Sequence, residues 1–439
     1  MPTADATDLR FRLTEEQARR LATEFGTPLY VLDETSLRER IREFVVAARR
    51  AYANSQVSYA SKANSTLAVL AIAHQEGCSI DVASEGEFRA ALAAGVPPQA
   101  CHLHGNNKSR QELSFAIEHG IGAIVIDHFD EIEMLKALAS KAPQCPQVLL
   151  RLAPGVDPKT HEKIATGQAD TKFGFNIADG AALRAVEQTL RANLPLAGFH
   201  CHVGSQLMDS EAQTSGAELI ARFAIEAKAT LGFVATVLNV GGGLGVRYTD
   251  SDRPEPVDLF CQNIAATVRA TLKGSGIDPI LIFEPGRSLV AESGVTLYTV
   301  GVVKTVLVSA GKTRTYVAVD GGLSDNPRPA IYGARYSIER VAPPSAGPMR
   351  VVTVSGRHCE TDRLIAEASL PEDIAPGNLV QVLTTGAYAS SMASNYNRYP
   401  RPATVLVRPD GEFCTVQVRE TFDSMLAREV VPEDLRRKG

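Results

Sequence analysis

The sequence predicts an α/β chain, a (β/α)8 barrel followed by an all-β domain, on three observations. Between residues 57 and 286 eight short β-rich runs alternate with helical stretches: VSYASK, SIDVAS, CHLHG, AIVIDH, QVLLRL, AGFHCHVG, ATVLNVGG and ILIFEPG. Eight such units over about 250 residues is the size of a closed parallel barrel. After residue 287 the texture changes to β-branched runs cut by Gly/Pro turns such as APPSAGP at 342–348. A length of 439 residues also exceeds what one core usually supports, so two domains are expected.

In chain order, residues 1–35 contain a short helix and a strand-like TPLYVLD. Pattern alone does not say which domain they join, and they are assigned to packing with the β domain. Residues 36–286 form the barrel, with Ala/Leu/Glu-rich helical spacing over 65–76, 85–94, 109–119, 130–140, 179–192, 211–231 and 257–274. Residues 287–439 form the β domain, with strands expected in VTLYTVGVVKTVLVS, TRTYVAVDGG, MRVVTVSG, NLVQVL, ATVLVRPDG and FCTVQVRE.

Composition narrows the function. The formal charge of -5 is small and spread along the chain, which argues against a nucleic-acid or anionic-membrane partner. No stretch is long and apolar enough to span a bilayer, and the first residues, MPTADATDLRFRLTEE, do not read as an export signal, so a cytoplasmic protein is expected. Seven cysteines without CxxC spacing suit a reducing compartment and neither a disulfide framework nor a zinc knuckle.

Barrel sites gather at the carboxyl ends of the strands. Here those ends carry Lys62, Ser84 with Glu85, Asn106, Asp127, Arg151, His202, Gly241 to Gly243, and Glu284. Polar residues collect wherever loops begin, but that does not account for a lysine, a histidine and a glutamate together. Lys62, among small residues in SYASKAN, must reach solvent or meet an anion or a carbonyl, because an unpaired buried ammonium is costly. A Schiff base to pyridoxal phosphate removes that cost. The run GGGLG at 241–245 follows the seventh strand, where barrels commonly bind phosphate, and glycines let the backbone approach an anion. Glu284 in FEPGR suits a ring-nitrogen partner, or an ion pair with Arg287. The HxH pairs His102/His104 and His200/His202 open a competing metal-hydrolase reading. Such hydrolases want HxH on the first strand, which here offers Lys62, so no metal is expected.

Together these residues resemble the fold-type III pyridoxal-phosphate decarboxylases, most closely the diaminopimelate branch. YASKAN, DVASEGE, HGNNKS, HEKIATGQADTKFGF, HCHVGSQ, GGGLGVRY, EPGR, DGGLSDNPRPAIY, SGRHCETD and TGAYASSMASNYN occur in the family's order over nearly the entire chain. The resemblance implies an alanine-racemase-like TIM barrel with a C-terminal β domain, and decarboxylation of meso-2,6-diaminopimelate to L-lysine. It implies pyridoxal 5'-phosphate on Lys62, with His202 stacked on the ring and Glu284 on its nitrogen. Ser205, Gly241, Gly242, Gly243 and Gly286 would hold the phosphate side. Arg287, Arg328 and Tyr332 would bind a substrate carboxylate, and Tyr388 would lie beside cofactor and substrate. Cys359, as proton donor, and Glu360 would come from the partner subunit of a homodimer.

Charge helps choose the substrate. Ornithine or arginine ends in a cation and calls for an acidic distal pocket, whereas diaminopimelate carries a second carboxylate that wants cations. Arg287 and Arg328 supply those cations, and Glu360 could take the distal ammonium. The alternatives are a decarboxylase of another basic or carboxylated polyamine precursor (ornithine, arginine or a carboxynorspermidine-like compound) and a non-catalytic cofactor-binding relative. One departure from the family pattern is Thr361 in Cys359-Glu360-Thr361-Asp362, where serine is common.

Overall fold

The computed structural model describes residues 8–140, 145–153, 155, 172–309, 311–342, 347–361 and 363–436. HEKIATGQADT at 161–171, Asp362 and the first seven residues lie outside them. The chain divides into two units: residues 35–292, and the described residues up to Glu34 together with those from Ser293 onward.

The first unit is a closed barrel of eight strands: β1 Ser55–Ala60, β2 Ser79–Val82, β3 Cys101–Leu103, β4 Ala123–Ile126, β5 Gln147–Ala153, β6 Leu196–His200, β7 Val237–Asn239 and β8 Ile280–Phe283. Each pairs in parallel with the next, and β8 with β1. Val125, Leu149, Ala197, Val237 and Ile282, from five successive strands, pack one apolar layer and make the barrel a filled core rather than a pore. Helices follow the first seven strands: Leu67–Gln75, Glu85–Ala93, Arg110–Glu118, Phe129–Ala139, Ala181–Arg191, Glu211–Leu231 and Val257–Leu272. Only a single turn, Arg287–Val290, follows β8. Cover for β8 comes from Glu34–Ala51, ahead of β1, whose Phe44 meets Phe283 edge-on at 6.2 Å. Leu37, Ile41, Phe44, Val45 and Ala48 are its buried face, at helical spacing.

The second unit is a mixed sheet built from β9 Gly294–Ser309, β10 Lys312–Val319, β11 Ile338–Arg340, β12 Met349–Ser355, β13 Ile365–Pro371, β14 Leu379–Val382, β15 Ala403–Val407 and β16 Phe413–Gln417. The strand Leu29–Asp33 lies inside this sheet, antiparallel to β9 and parallel to β15. Leu29, Val31, Val295, Leu297, Val405 and Val407 share its core with Ala18 and Leu21 of the helix Glu15–Phe25. β11 and β13 are not among the strands expected from sequence. Ile-Glu-Arg is too short to show a period, and IAEASLP is built of weak strand formers held by pairing with β12.

Candidate active site at the carboxyl ends of the barrel strands

Lys62 sits in the turn Ser61–Ala63 directly after β1. Ser61 and Ala63 are buried while the Lys62 side chain is exposed. The turn is fastened to the next strand end: Ser61 Oγ donates to Glu87 Oε2 (2.8 Å), and that oxygen also accepts from the Ala83 amide (2.7 Å). Ser84, one of the polar strand ends, is a helix N-cap and accepts from the Glu87 amide, so it is accounted for by capping.

The barrel interior holds a chain of polar side chains ending on Glu284. His200 Nε2 lies 3.0 Å from Glu284 Oε2, and Asn239 donates its amide to Oε1. The Asn239 Oδ1 in turn accepts from the Gly241 amide at 3.0 Å, tying the carboxylate to the glycine run. His104 Nε2 is 3.4 Å from Glu284 Oε1 and 3.5 Å from Asp81 Oδ1, and Ser58 donates to that same Asp81 oxygen at 2.5 Å. Burial opposes the charge on Glu284, but the histidines beside it outweigh burial and hold its carboxyl below the usual range. His202 is pushed well below its ordinary value, first by burial and then by the positive fields of Lys62 and Arg151, so its ring is neutral. Burial, against Asp127 and Glu284, also lowers Arg151. Phe173 lies under its guanidinium at 4.1 Å.

The glycine run is a close-packed cradle. Gly241 has φ +72° and Gly243 φ +142°. A Cβ on Gly242 would stand 2.0 Å from the Glu284 carbonyl oxygen, a contact backbone cannot relieve. Beside it, Arg287 donates to Ser205 Oγ (3.0 Å) and to the Tyr248 hydroxyl (2.6 Å), and the Gly242 amide faces His202 Nδ1 at 3.4 Å. Gly286 is tight against Ala60, 3.1 Å from where a Cβ would be. Arg287 and Glu284 thus turn to different partners rather than forming the pair that their spacing allowed. One end of this site offers donors and a buried guanidinium for an anion, the other a carboxylate for a protonated ring nitrogen, with the Lys62 amine open to a carbonyl. Buried atoms His104 Nε2, Asp81 Oδ2 and His200 Nδ1 have no hydrogen-bond partner among the described residues, as expected of a site made for a polar ligand.

His104, His200 and Glu284 also bring ligand atoms within 4.8 Å of one another, the grouping a metal would need. The two HxH pairs do not converge on it: His102 turns to Ser58 and Asp81, and His202 to Gly242.

In the sheet unit, Arg328 is buried at the start of the helix Arg328–Tyr332, donates to the Tyr336 hydroxyl at 2.5 Å and lies 5.8 Å from the Tyr388 ring centroid. Tyr388 takes φ +59° and Tyr332 is half-buried. Cys359 and Glu360 are exposed. The Cys359 amide donates to Asn397 Oδ1 (3.1 Å), and the Tyr396 hydroxyl donates to Glu360. Cys78, Cys101, Cys201 and Cys261 are buried, their thiols pushed up to about 12 by burial, which leaves them inert.

Sequence reasoning missed Asp81 and Asn239 as parts of the site, whereas Arg151 was already among the polar strand ends. Each of the two missed residues is a polar residue inside an otherwise apolar strand, in SIDV and VLNV, and that was the available signal.

Residues 38–291 match the family model described as pyridoxal-dependent decarboxylase, pyridoxal binding domain. The chain is 45% identical to the diaminopimelate decarboxylase of Bacillus subtilis over 409 residues, covering 92% of each. It is 42% identical to that of Mycobacterium tuberculosis over 421 residues, 93% of this chain and 92% of the relative. Among solved structures, the diaminopimelate decarboxylase of M. jannaschii in complex with L-lysine superposes with a TM-score of 0.89 at 33% identity, over 95% of both chains.

Proposed function

The chain belongs to the pyridoxal-dependent decarboxylases, in the branch of the diaminopimelate decarboxylases, and from that membership we propose that it converts meso-2,6-diaminopimelate to L-lysine and carbon dioxide. The observation that carries the reading is the site itself: an open lysine, a glycine cradle with a buried arginine, and a buried carboxylate held by histidines, all at the strand ends of one barrel.

The cofactor that fits is pyridoxal 5'-phosphate. Lys62 would hold it through its amine, Ser205, Gly241 to Gly243, Gly286 and Arg287 would hold the phosphate, and Glu284 would pair with the ring nitrogen. When bound, the cofactor supplies an electron sink for the pair left behind as carbon dioxide departs. The protein's part is positioning and proton transfer. A neutral His202 offers a flat, uncharged face to an aromatic ring. Arg328, a buried cation, would bind a substrate carboxylate together with Tyr332 and Tyr388, and Arg287 would be a second cation. Glu360 would bind the distal ammonium, and Cys359 would give its thiol proton to the α carbon, with both supplied across the interface of a homodimer. A cytoplasmic location would suit its seven free cysteines.

The test is carbon dioxide release from meso-diaminopimelate, L-ornithine and L-arginine side by side, with wild type and Lys62→Ala. Wild type should favour diaminopimelate, and Lys62→Ala should lose both release and the absorbance band of lysine-bound cofactor. Full activity in that variant would sink the scheme, and a preference for ornithine or arginine would overturn the substrate.

A further inference from the structure

His104 lies between two carboxylates in the barrel interior. Its Nε2 is 3.5 Å from Asp81 Oδ1 and 3.4 Å from Glu284 Oε1, and each of these carboxylate side chains is only 8% exposed. Asp81 is braced from below by Ser58, with His102 Nδ1 3.5 Å away. Glu284 is braced at its other oxygen by His200.

Two carboxylates facing one ring in a sealed interior repel, and the field of Asp81 pushes Glu284 toward its protonated form. The imidazole between them answers that repulsion. Burial alone would strip its proton, but the fields of Glu284 and Asp81 together raise its pKa, which favours the cationic form of His104. His200 faces one carboxylate, and burial first, with His104 and Arg151 after it, outweighs that carboxylate and pushes its pKa down, which favours a neutral ring that meets Glu284 at 3.0 Å. With His104 protonated, Asp81, His104 and Glu284 together carry one net negative charge. A protonated ring nitrogen on Glu284 brings that sum to zero.

We propose that His104, held by Asp81, is a positioning residue that keeps Glu284 ionised and thereby keeps the cofactor's ring nitrogen protonated. The proposal rests on the reading of Glu284 as partner of that nitrogen. The proton shared between a pyridine and a carboxylate stays on nitrogen only while the carboxylate is the weaker base. Removing the cation makes Glu284 the stronger base and leaves the ring a poorer electron acceptor.

The experiment reconstitutes wild type, His104→Gln, His104→Asn, Asp81→Asn and Glu284→Gln with pyridoxal phosphate. It reads the pH titration of the bound cofactor's absorbance, and kcat and KM separately. In the cofactor-free protein, the His104 ring is titrated by NMR. Both His104 variants and Asp81→Asn should shift the absorbance titration and lower kcat at least tenfold with KM changed less than threefold. In the cofactor-free protein the His104 ring should titrate above the ordinary histidine range and return toward it in Asp81→Asn. If the His104 variants keep the wild-type titration and kcat while Glu284→Gln loses them, the role of His104 is overturned and the ring-nitrogen reading stands. If Glu284→Gln keeps them too, that reading itself has failed. A normal Asp81→Asn beside altered His104 variants would overturn the part assigned to Asp81.

Discussion

At the scale of single residues, the barrel depends on sealed charges held in ion pairs. Lys108 and Glu131 form an ion pair at 2.8 Å with side chains 3% and 0% exposed. The two remaining Lys108 protons go to the Gly105 and Val125 carbonyls, both at 2.7 Å, so one ammonium ties the loop after β3 to the end of β4. Glu131 also accepts from the Asp127 amide. Burial already raises its pKa despite Lys108, which shows how little margin the carboxylate has. Lys108→Met should therefore cost about 3–5 kcal/mol, read as a lowered urea midpoint, because it strands a buried carboxylate. Lys108→Met with Glu131→Leu should cost less than the single change, since no charge is then left unpaired. The HGNNKS motif was legible as a family signature, but this role for its lysine was not, because Glu131 is 23 residues away in sequence and meets it only in the fold.

At the scale of elements, the carboxyl ends of β7 and β8 approach so closely that only glycine fits between them. The Gly242 Cβ position is 2.0 Å from the Glu284 carbonyl oxygen, and the Glu284 amide donates to the Gly241 carbonyl at 2.8 Å. Gly242→Ala should move the glycine run and Glu284 together. The expected outcome is pyridoxal phosphate affinity weakened more than tenfold by fluorescence titration of the cofactor-free protein, with the fold retained by circular dichroism. Most elements were legible from period and composition: the helix expected at 211–231 is Glu211–Leu231, and that at 85–94 is Glu85–Ala93. The helix Glu34–Ala51 was not among them, although its apolar spacing is regular, because nothing local says that a helix ahead of β1 packs over β8.

At the scale of the whole molecule, the pH response combines groups shifted in opposite directions. Asp325 is buried in the sheet unit, where the Tyr298 hydroxyl and the Gly322 amide donate to it, and burial nonetheless raises it to about 7. A carboxyl raised in the folded state contributes stability that is complete below its unfolded value near 4 and is lost as pH rises through about 7. Glu420, lowered to about 2 chiefly by Arg401, acts the other way and loses its contribution as pH falls through that value. Asp325→Asn should remove the downward slope of stability between pH 4 and 7, checked by comparing melting temperatures of variant and wild type across that window. The sequence by itself determined the alternation of eight β and α segments, the β-rich tail and the lysine, glycine run and glutamate at strand ends. These follow from local period, backbone freedom and position along the chain, which need no partner to be read. Only the tertiary structure decided that Leu29–Asp33 joins the sheet of the second unit, and that Asp81, His104, His200 and Asn239 gather on Glu284. Those contacts join four further strand regions to the end of β8, and whether a buried charge is paired or stranded depends on neighbours that sequence distance does not reveal.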